Sequence, residues 1–296
     1  MKGRIVKGVG GLYTVYADGQ YYSCKARGIF RKDGIVPLPG DVVAFDEDSA
    51  QGYVLTAIYE RKNSMVRPAV ANIDLLFVIV STTDPLPNRY VIDKTIAIAE
   101  FKRIEPVVVI TKTDLSDFSQ LLSVYGQVGI RVLVTNPLTG EGLDEIKACI
   151  SGKVCCFTGN SGVGKSTLLN RLFPDLKLPT SETSTKLGRG KHTTRHVEMF
   201  YRNGGFVADT PGFSAVDIEQ YDLIFKEELP YCFREFAEYM GKCRFTGCSH
   251  TSEKGCVVLE AVREGKIAES RHADYVRMYN EVKNLKEWEL QKNGKR

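Results

Sequence analysis

A chain of 296 residues that is 43% hydrophobic, 26% charged and 10% aromatic can bury more than one core, and this composition excludes a disordered or fibrous polymer. No apolar run approaches the ~18 residues of a membrane span, and the opening MKGRIVKGVGGLYTV has no apolar signal core, so a cytoplasmic protein without membrane association is expected. The net charge of +4 is unevenly spread: ten basic residues face seven acidic ones in 1–68 and twelve face eight in 240–296, which leaves the middle net negative. Two basic ends around a mildly acidic centre suit either solvated Lys-rich faces or two nucleic-acid-contacting flanks.

Short strands are expected over 13–16, 21–25, 41–45 and 53–59, the first two joined by the hairpin signal Asp18-Gly19. Several short strands in so small a segment point to a closed barrel, with the five-stranded OB type as first choice and an SH3-like barrel left open. After Arg67-Pro68 apolar strands alternate with helices: strand 75–80, helix 91–102, strand 107–110, a helix near Leu121, strand 132–135, helix 143–150 and strand 154–157. That alternation predicts a mostly parallel sheet covered on both faces. Residues 180–191 are polar and aperiodic, a loop too long to be a mere connection. A Cys/His-rich segment and a charged helical tail over 273–290 follow. The expected organisation is an OB-like β-barrel over 1–68, an α/β nucleotide domain over 69–224, and a mainly helical zinc region over 225–296.

Gly159-Asn160-Ser161-Gly162-Val163-Gly164-Lys165-Ser166 fits G-x-x-x-x-G-K-[ST], lies between a strand and a helix that continues through Thr167, and so reads as a P-loop. Its glycines let backbone N–H groups turn toward phosphate oxygens, Lys165 neutralises the β- and γ-phosphates, and Ser166 can ligate Mg²⁺. About fifty residues on, Asp209-Thr210-Pro211-Gly212 follows an apolar strand. Alone it would pass for a turn; after a P-loop, Asp209 is a candidate magnesium ligand and Gly212 a donor to the γ-phosphate. Thr111-Lys112-Thr113-Asp114 ends strand 107–110. A carboxylate there accepts from guanine's N1–H and exocyclic amine together, while adenine would leave it desolvated and unpaired. Thr135-Asn136, before Pro137, can supply backbone contacts to the base. The base-reading elements precede the P-loop here, an order best explained by one sheet whose chain termini have been relocated.

Cys243, Cys248, His250 and Cys256 place three thiols and an imidazole within fourteen residues. Such a set suits tetrahedral zinc and leaves no position for a catalytic water, so the site is expected to be structural. Cys149, Cys155 and Cys156 lie in apolar surroundings and read as core residues, while Cys24 and Cys232 have no visible partner.

The order of these motifs, with a barrel before them and a Cys/His cluster after them, resembles the circularly permuted GTPases of the RsgA/YjeQ family over essentially the whole chain. Residues 111–114, 159–167, 188–195 and 209–212 and the four cluster residues carry the resemblance. It implies a bacterial GTPase that binds the small (30S) ribosomal subunit and its 16S rRNA, assists late maturation, and hydrolyses GTP to GDP when the subunit stimulates it. A monomer is expected. Thr111 departs from the Asn found there in many GTPases. Phe213 stands where Ras-like enzymes carry a water-positioning Gln, so slow unassisted turnover is expected. His192 is the favoured contact to the attacking water, and Thr194, in preference to Thr193, the residue that closes on Mg²⁺. A P-loop kinase or ATPase and an RNA-binding protein with a vestigial nucleotide site are the rival readings; the first leaves Thr111–Asp114 unexplained, and the intact Lys165, Ser166 and Asp209 speak against the second.

Overall fold

The computed structural model describes residues 1–28, 30, 34–66, 68–178, 197–209 and 223–285. Five strands open it: β1 (Lys2–Val9), β2 (Leu12–Ala17), β3 (Gln20–Ala26), β4 (Val42–Asp48) and β5 (Gly52–Ile58). Period-two burial sends Ile5, Val15, Cys24, Val43, Phe45 and Leu55 to one interior. β1 pairs with β2 and β2 with β3, β3 lies parallel to β5, β5 pairs with β4, and β4 returns to β1. That closure is the expected OB-like barrel. Asp18 and Gly19 both take positive φ at the β2–β3 turn, as a two-residue hairpin requires. β1 was not foreseen, because KGRIVKGV does not alternate. Ile5 points into the barrel while the adjacent Val6 joins the core of the next domain, so both faces of the strand are buried at that point.

A short ribbon of β6 (Ser64–Met65) and β7 (Val70–Ala71) leads into the second sheet. Its strands are β8 (Leu75–Ser81), β9 (Glu105–Thr111), β10 (Arg131–Val134), β11 (Val154–Thr158), β12 (Glu198–Arg202) and β13 (Gly205–Asp209), ordered β10-β9-β8-β11-β13-β12. The pairs from β10 through β13 are all parallel, and β12 alone is antiparallel. All seven residues of β8 are buried, as a central parallel strand demands. Helices α1 (Arg89–Phe101) and α2 (Ser119–Gln127) pack on one face through Ile92, Ile96 and Tyr125. Helices α3 (Leu143–Ile150) and α4 (Lys165–Leu172) cover the other through Ile146 and Leu168. β12 also pairs with β1, at Lys7 opposite Glu198, so barrel and sheet form one continuous eleven-stranded sheet. The Lys7–Glu198 ion pair (2.7 Å) and the stack of Tyr16 on Tyr201 (4.6 Å between centroids) flank this seam.

The last region has two 3₁₀ turns, Leu229–Cys232 and Arg234–Tyr239, then α5 (Val257–Arg263) and α6 (Glu269–Val282). The tail helix thus begins four residues before the expected 273, and positions beyond 285 lie outside the described residues. Phe233, Phe236, Tyr275 and Met278 share one core with Ile92 and Ile96 of α1. Arg271 of α6, fully buried, donates to Asp93 of α1 (2.9 Å) and to both carboxylate oxygens of Glu235 (2.7 and 3.1 Å). Burial opposes the Arg271 charge, but the two carboxylates more than offset it and hold the guanidinium protonated. Burial also pushes the Asp93 carboxyl up to about 7 against the pull of Arg271. Among the described residues no helix is long and apolar enough to cross a membrane.

Removing the cation from such a group strands two buried carboxylates. Arg271→Leu should therefore cost about 3–5 kcal/mol in urea unfolding of the intact chain, and a cost below about 1 kcal/mol would show that the contact carries no net weight.

Candidate functional site

Parallel strands deliver their carboxyl ends to a single rim, and most of the motifs leave the sheet there. β11 runs into the P-loop and α4 begins at Lys165, with Gly164 as its N-cap at φ +92°. That backbone conformation is strained for any residue bearing a Cβ. At Gly159 the limit is space, since a Cβ would stand 2.8 Å from the Ile79 carbonyl oxygen. Val163 is buried under the loop, Asn160, Lys165 and Ser166 are half-buried, and Ser161, Gly162 and Thr167 are exposed.

β9 brings Thr111-Lys112-Thr113-Asp114 alongside. Thr111 is 1% exposed, and its hydroxyl donates to the Val163 carbonyl at 2.7 Å. One buried bond thus ties the loop after β9 to the P-loop, and the Thr in place of the usual Asn makes that link. Lys112 adopts φ +56°, and its ammonium donates to the Asp84 carbonyl. Thr113 is half-buried and Asp114 exposed. Asn136 Nδ2 donates to Asp114 Oδ1 at 3.0 Å, while Asn136 Oδ1 accepts from the Leu138 N–H at 3.0 Å. The buried Thr135 hydroxyl donates to the Glu141 carbonyl at 2.7 Å, and the Asn136 N–H bonds the same oxygen at 3.1 Å. Asn136 was expected to offer backbone; the structure gives its side chain a further part, holding one oxygen of Asp114.

Asp209 is the last residue of β13, next to the P-loop strand, with Ala208 in register with Cys156. Thr111–Asp114, Thr135, Asn136, Gly159–Thr167 and Asp209 therefore gather at one rim, though they come from four separate stretches of chain. Gly212, His192, Thr194, Thr193 and Phe213 lie outside the described residues. Ser81, Thr82 and Asp84 were not anticipated. Ser81 ends β8 and donates its hydroxyl to the Pro85 carbonyl, while Thr82 and Asp84 follow it and bond to Lys112; the only sequence signal was the turn-rich stretch Thr82-Thr83-Asp84-Pro85 after an apolar strand.

The Cys/His cluster is built in the C-terminal region. The ligand atoms of Cys243, Cys248, His250 and Cys256 lie within 4.8 Å of one another. Cys243 Sγ is 3.9 Å from Cys256 Sγ, and each of these two sulfurs is 3.5 Å from His250 Nδ1. Tetrahedral zinc with ordinary bond lengths sets ligands about 3.8 Å apart for sulfur pairs and about 3.6 Å for sulfur and nitrogen, so the donor set fits. Burial lowers the His250 pKa, which favours the neutral imidazole that a metal needs. The loop is braced from outside: His272 Nε2 lies 2.8 Å from the His250 carbonyl oxygen and the Tyr275 hydroxyl donates to the Ser249 carbonyl at 2.6 Å. Burial would raise the Glu253 pKa, but bonds from the Ser249 hydroxyl and the Ser249 and Ser252 N–H groups overcome it and hold the carboxyl at about 2.

A family model described as RsgA GTPase matches residues 58–219, and one described as RsgA N-terminal domain matches 2–54. The chain is 42% identical to the small ribosomal subunit biogenesis GTPase RsgA of Geobacillus sp. (strain WCH70) over 292 residues, 96% of this chain and 98% of that protein. The protein of the same description from Geobacillus thermodenitrificans (strain NG80-2) is 44% identical over 292 residues with the same coverage. Among solved structures, YjeQ from Thermotoga maritima superposes with a TM-score of 0.82 at 34% identity, covering 96% of this chain and 99% of that one. YloQ, described as a circularly permuted GTPase, follows at 0.80 and 33%, with 96% of each chain covered.

Thr111→Val keeps the shape of the buried residue and leaves the Val163 carbonyl unpaired. GDP affinity should fall by about 1–3 kcal/mol in a titration with a fluorescent analogue, and unchanged affinity would show that the link between the loops is dispensable.

Proposed function

The chain belongs to the RsgA GTPase family, and we propose that it binds the small ribosomal subunit through 16S rRNA, hydrolyses GTP when the subunit stimulates it, and assists late maturation of that subunit. The carrying observation is the Thr111–Val163 bond, which joins a guanine-type loop to a P-loop in one site. The names of relatives 42% and 44% identical over nearly their full length support the ribosomal partner.

In this reading Asp114 accepts from guanine's N1–H and amine, Asn136 orients that carboxylate, and the stem of Lys112 covers the ring. Thr135 and Asn136 add backbone contacts, and Thr113 spaces Lys112 from Asp114. Backbone N–H groups of Gly159, Asn160, Ser161, Gly162, Val163, Gly164 and Thr167 cradle the phosphates, and Lys165 offsets their charge at the start of α4. Ser166, Thr194 and Asp209 are the proposed magnesium ligands; bound there, the ion neutralises charge on the β- and γ-phosphate oxygens. Gly212 donates to the γ-phosphate and His192 contacts the attacking water. Phe213 cannot orient a water by hydrogen bonding, so turnover waits on the partner. A kinase or ATPase reading fails on Asp114, which adenine would leave without donors.

The proposed domain division is a barrel over 1–68, a permuted GTPase domain over 69–224, and a helical region over 225–296 that holds one structural Zn²⁺ on Cys243, Cys248, His250 and Cys256. The chain is proposed to be monomeric and cytoplasmic. Nucleotide state is proposed to alter the grip on rRNA, and α1 offers a route: it starts at Arg89, capped by Asn88, just past the segment bonded to the guanine loop, and ends against the C-terminal region, where Glu100 meets Arg234.

Purified small subunits should raise GTP turnover well above the unassisted rate, and His192→Ala should lower the stimulated rate by about 10²-fold with GDP affinity unchanged; no stimulation of the wild-type chain would sink the leading reading. Metal analysis should find one zinc per chain, and its removal by a chelator under reducing conditions should unfold the C-terminal region, seen as loss of helical signal. Folding that is indifferent to the chelator would remove the metal from the structure.

A further inference from the structure

We propose that Thr82 is a positioning residue for guanine recognition, setting the backbone of Lys112 so that Asp114 meets the base. The inference rests on Asp114 being the guanine reader.

Thr82 follows β8 directly, is 5% exposed, and sits where the β8 and β9 rims meet. Its N–H donates to the Thr111 carbonyl (3.2 Å) and its hydroxyl to the Lys112 carbonyl (2.6 Å). These two carbonyls belong to the peptide units on either side of Lys112. Lys112 itself holds φ +56°, a backbone region that side-chain-bearing residues rarely enter unless something outside fixes them there. The rest of the segment is bonded to the same place. Asp84 offers its carbonyl to the Lys112 ammonium, and the Ser81 hydroxyl closes the segment by donating to the Pro85 carbonyl at 2.6 Å. Lys112 is thus held at its carbonyl and at the end of its side chain by one stretch, 81–85, that touches no part of the base-reading motif in sequence.

Asp114 lies two residues beyond that anchored carbonyl and keeps one oxygen on Asn136. The guanine contact needs two donors met at once by one carboxylate, so it tolerates little rotation of the loop. A β-branched hydroxyl residue suits position 82, because its restricted χ1 aims the hydroxyl while its methyl fills the buried space. Thr82 acts through Lys112 and Asp114 and touches no substrate.

The test compares Thr82→Val, which keeps the shape without the hydroxyl, with Thr82→Ser, which keeps the hydroxyl, on the full chain. Affinities for GDP and for IDP, whose base lacks the exocyclic amine, are measured with thermal melting alongside. Thr82→Val should lose about tenfold in GDP affinity and less for IDP, so the GDP-to-IDP preference narrows, while Thr82→Ser keeps the wild-type preference. Should Thr82→Val not fold, Ser81→Ala loosens the same segment and should narrow the preference in the same direction. An unchanged preference in folded Thr82→Val, or in Ser81→Ala where Thr82→Val does not fold, overturns the role of Thr82 whatever the melting temperature. A wild-type chain that binds ADP as tightly as GDP removes the guanine reading instead, and this inference with it.

Discussion

Everything at the nucleotide site depends on five strands running the same way. Parallel pairing from β10 through β13 forces each strand to release its chain at one edge of the sheet, whatever order the strands have in sequence. The loops after β8, β9, β10 and β11 and the end of β13 then meet without any of them being long. Relocating the chain termini changes which helix connects to which strand and leaves the rim untouched. That is why the loop after β9, which precedes the P-loop in sequence, can still come within a single hydrogen bond of it, Thr111 to Val163.

Much of this was legible in the residues, and the reason is locality. The six consecutive apolar residues of β8 and the glycine pattern of the P-loop describe their own surroundings. β1 and β12 were not legible. β1 faces two different cores at Ile5 and Val6, so its pattern matches neither alternation nor a continuous apolar run. β12, Glu-Met-Phe-Tyr-Arg, is a short mixed strand directly after a long polar stretch. At the site, the motif residues could be read, but their supports could not. Thr82 bonds Lys112 thirty residues away, and Asn136 bonds Asp114 across twenty-two. The Asp93–Arg271 pair spans 178 positions, a separation at which no spacing rule operates.

That pair shows how the C-terminal region belongs to the core. Helix α1 gives one face to the sheet and another to Phe233, Phe236 and Tyr275, and at its middle Asp93 meets a cation from α6. A buried ion group of this kind adds little net stability over a well-packed apolar contact, yet it tolerates no loss of a member. It fixes where the Cys/His region docks. At the outer end of the same contact, the guanidinium of Arg277 lies 3.6 Å from the ring centroid of Tyr90, and Lys94 pairs with Glu281 at 2.9 Å.

The seam between β1 and β12 bears on how the molecule is made. A GTPase sheet ending at β12 would present an open edge carrying Met199, Phe200 and Tyr201, the kind of edge on which strands from other chains assemble. Here β1 pairs with β12 where Lys7 stands opposite Glu198, and Tyr16 of β2 stacks on Tyr201. Because β1 to β5 precede β12 by more than a hundred residues, the barrel leaves the ribosome and can close before the edge strand has been synthesised. The barrel side of the seam is thus in place ahead of the strand that joins it, and β12 can meet Lys7 and Tyr16 as it emerges.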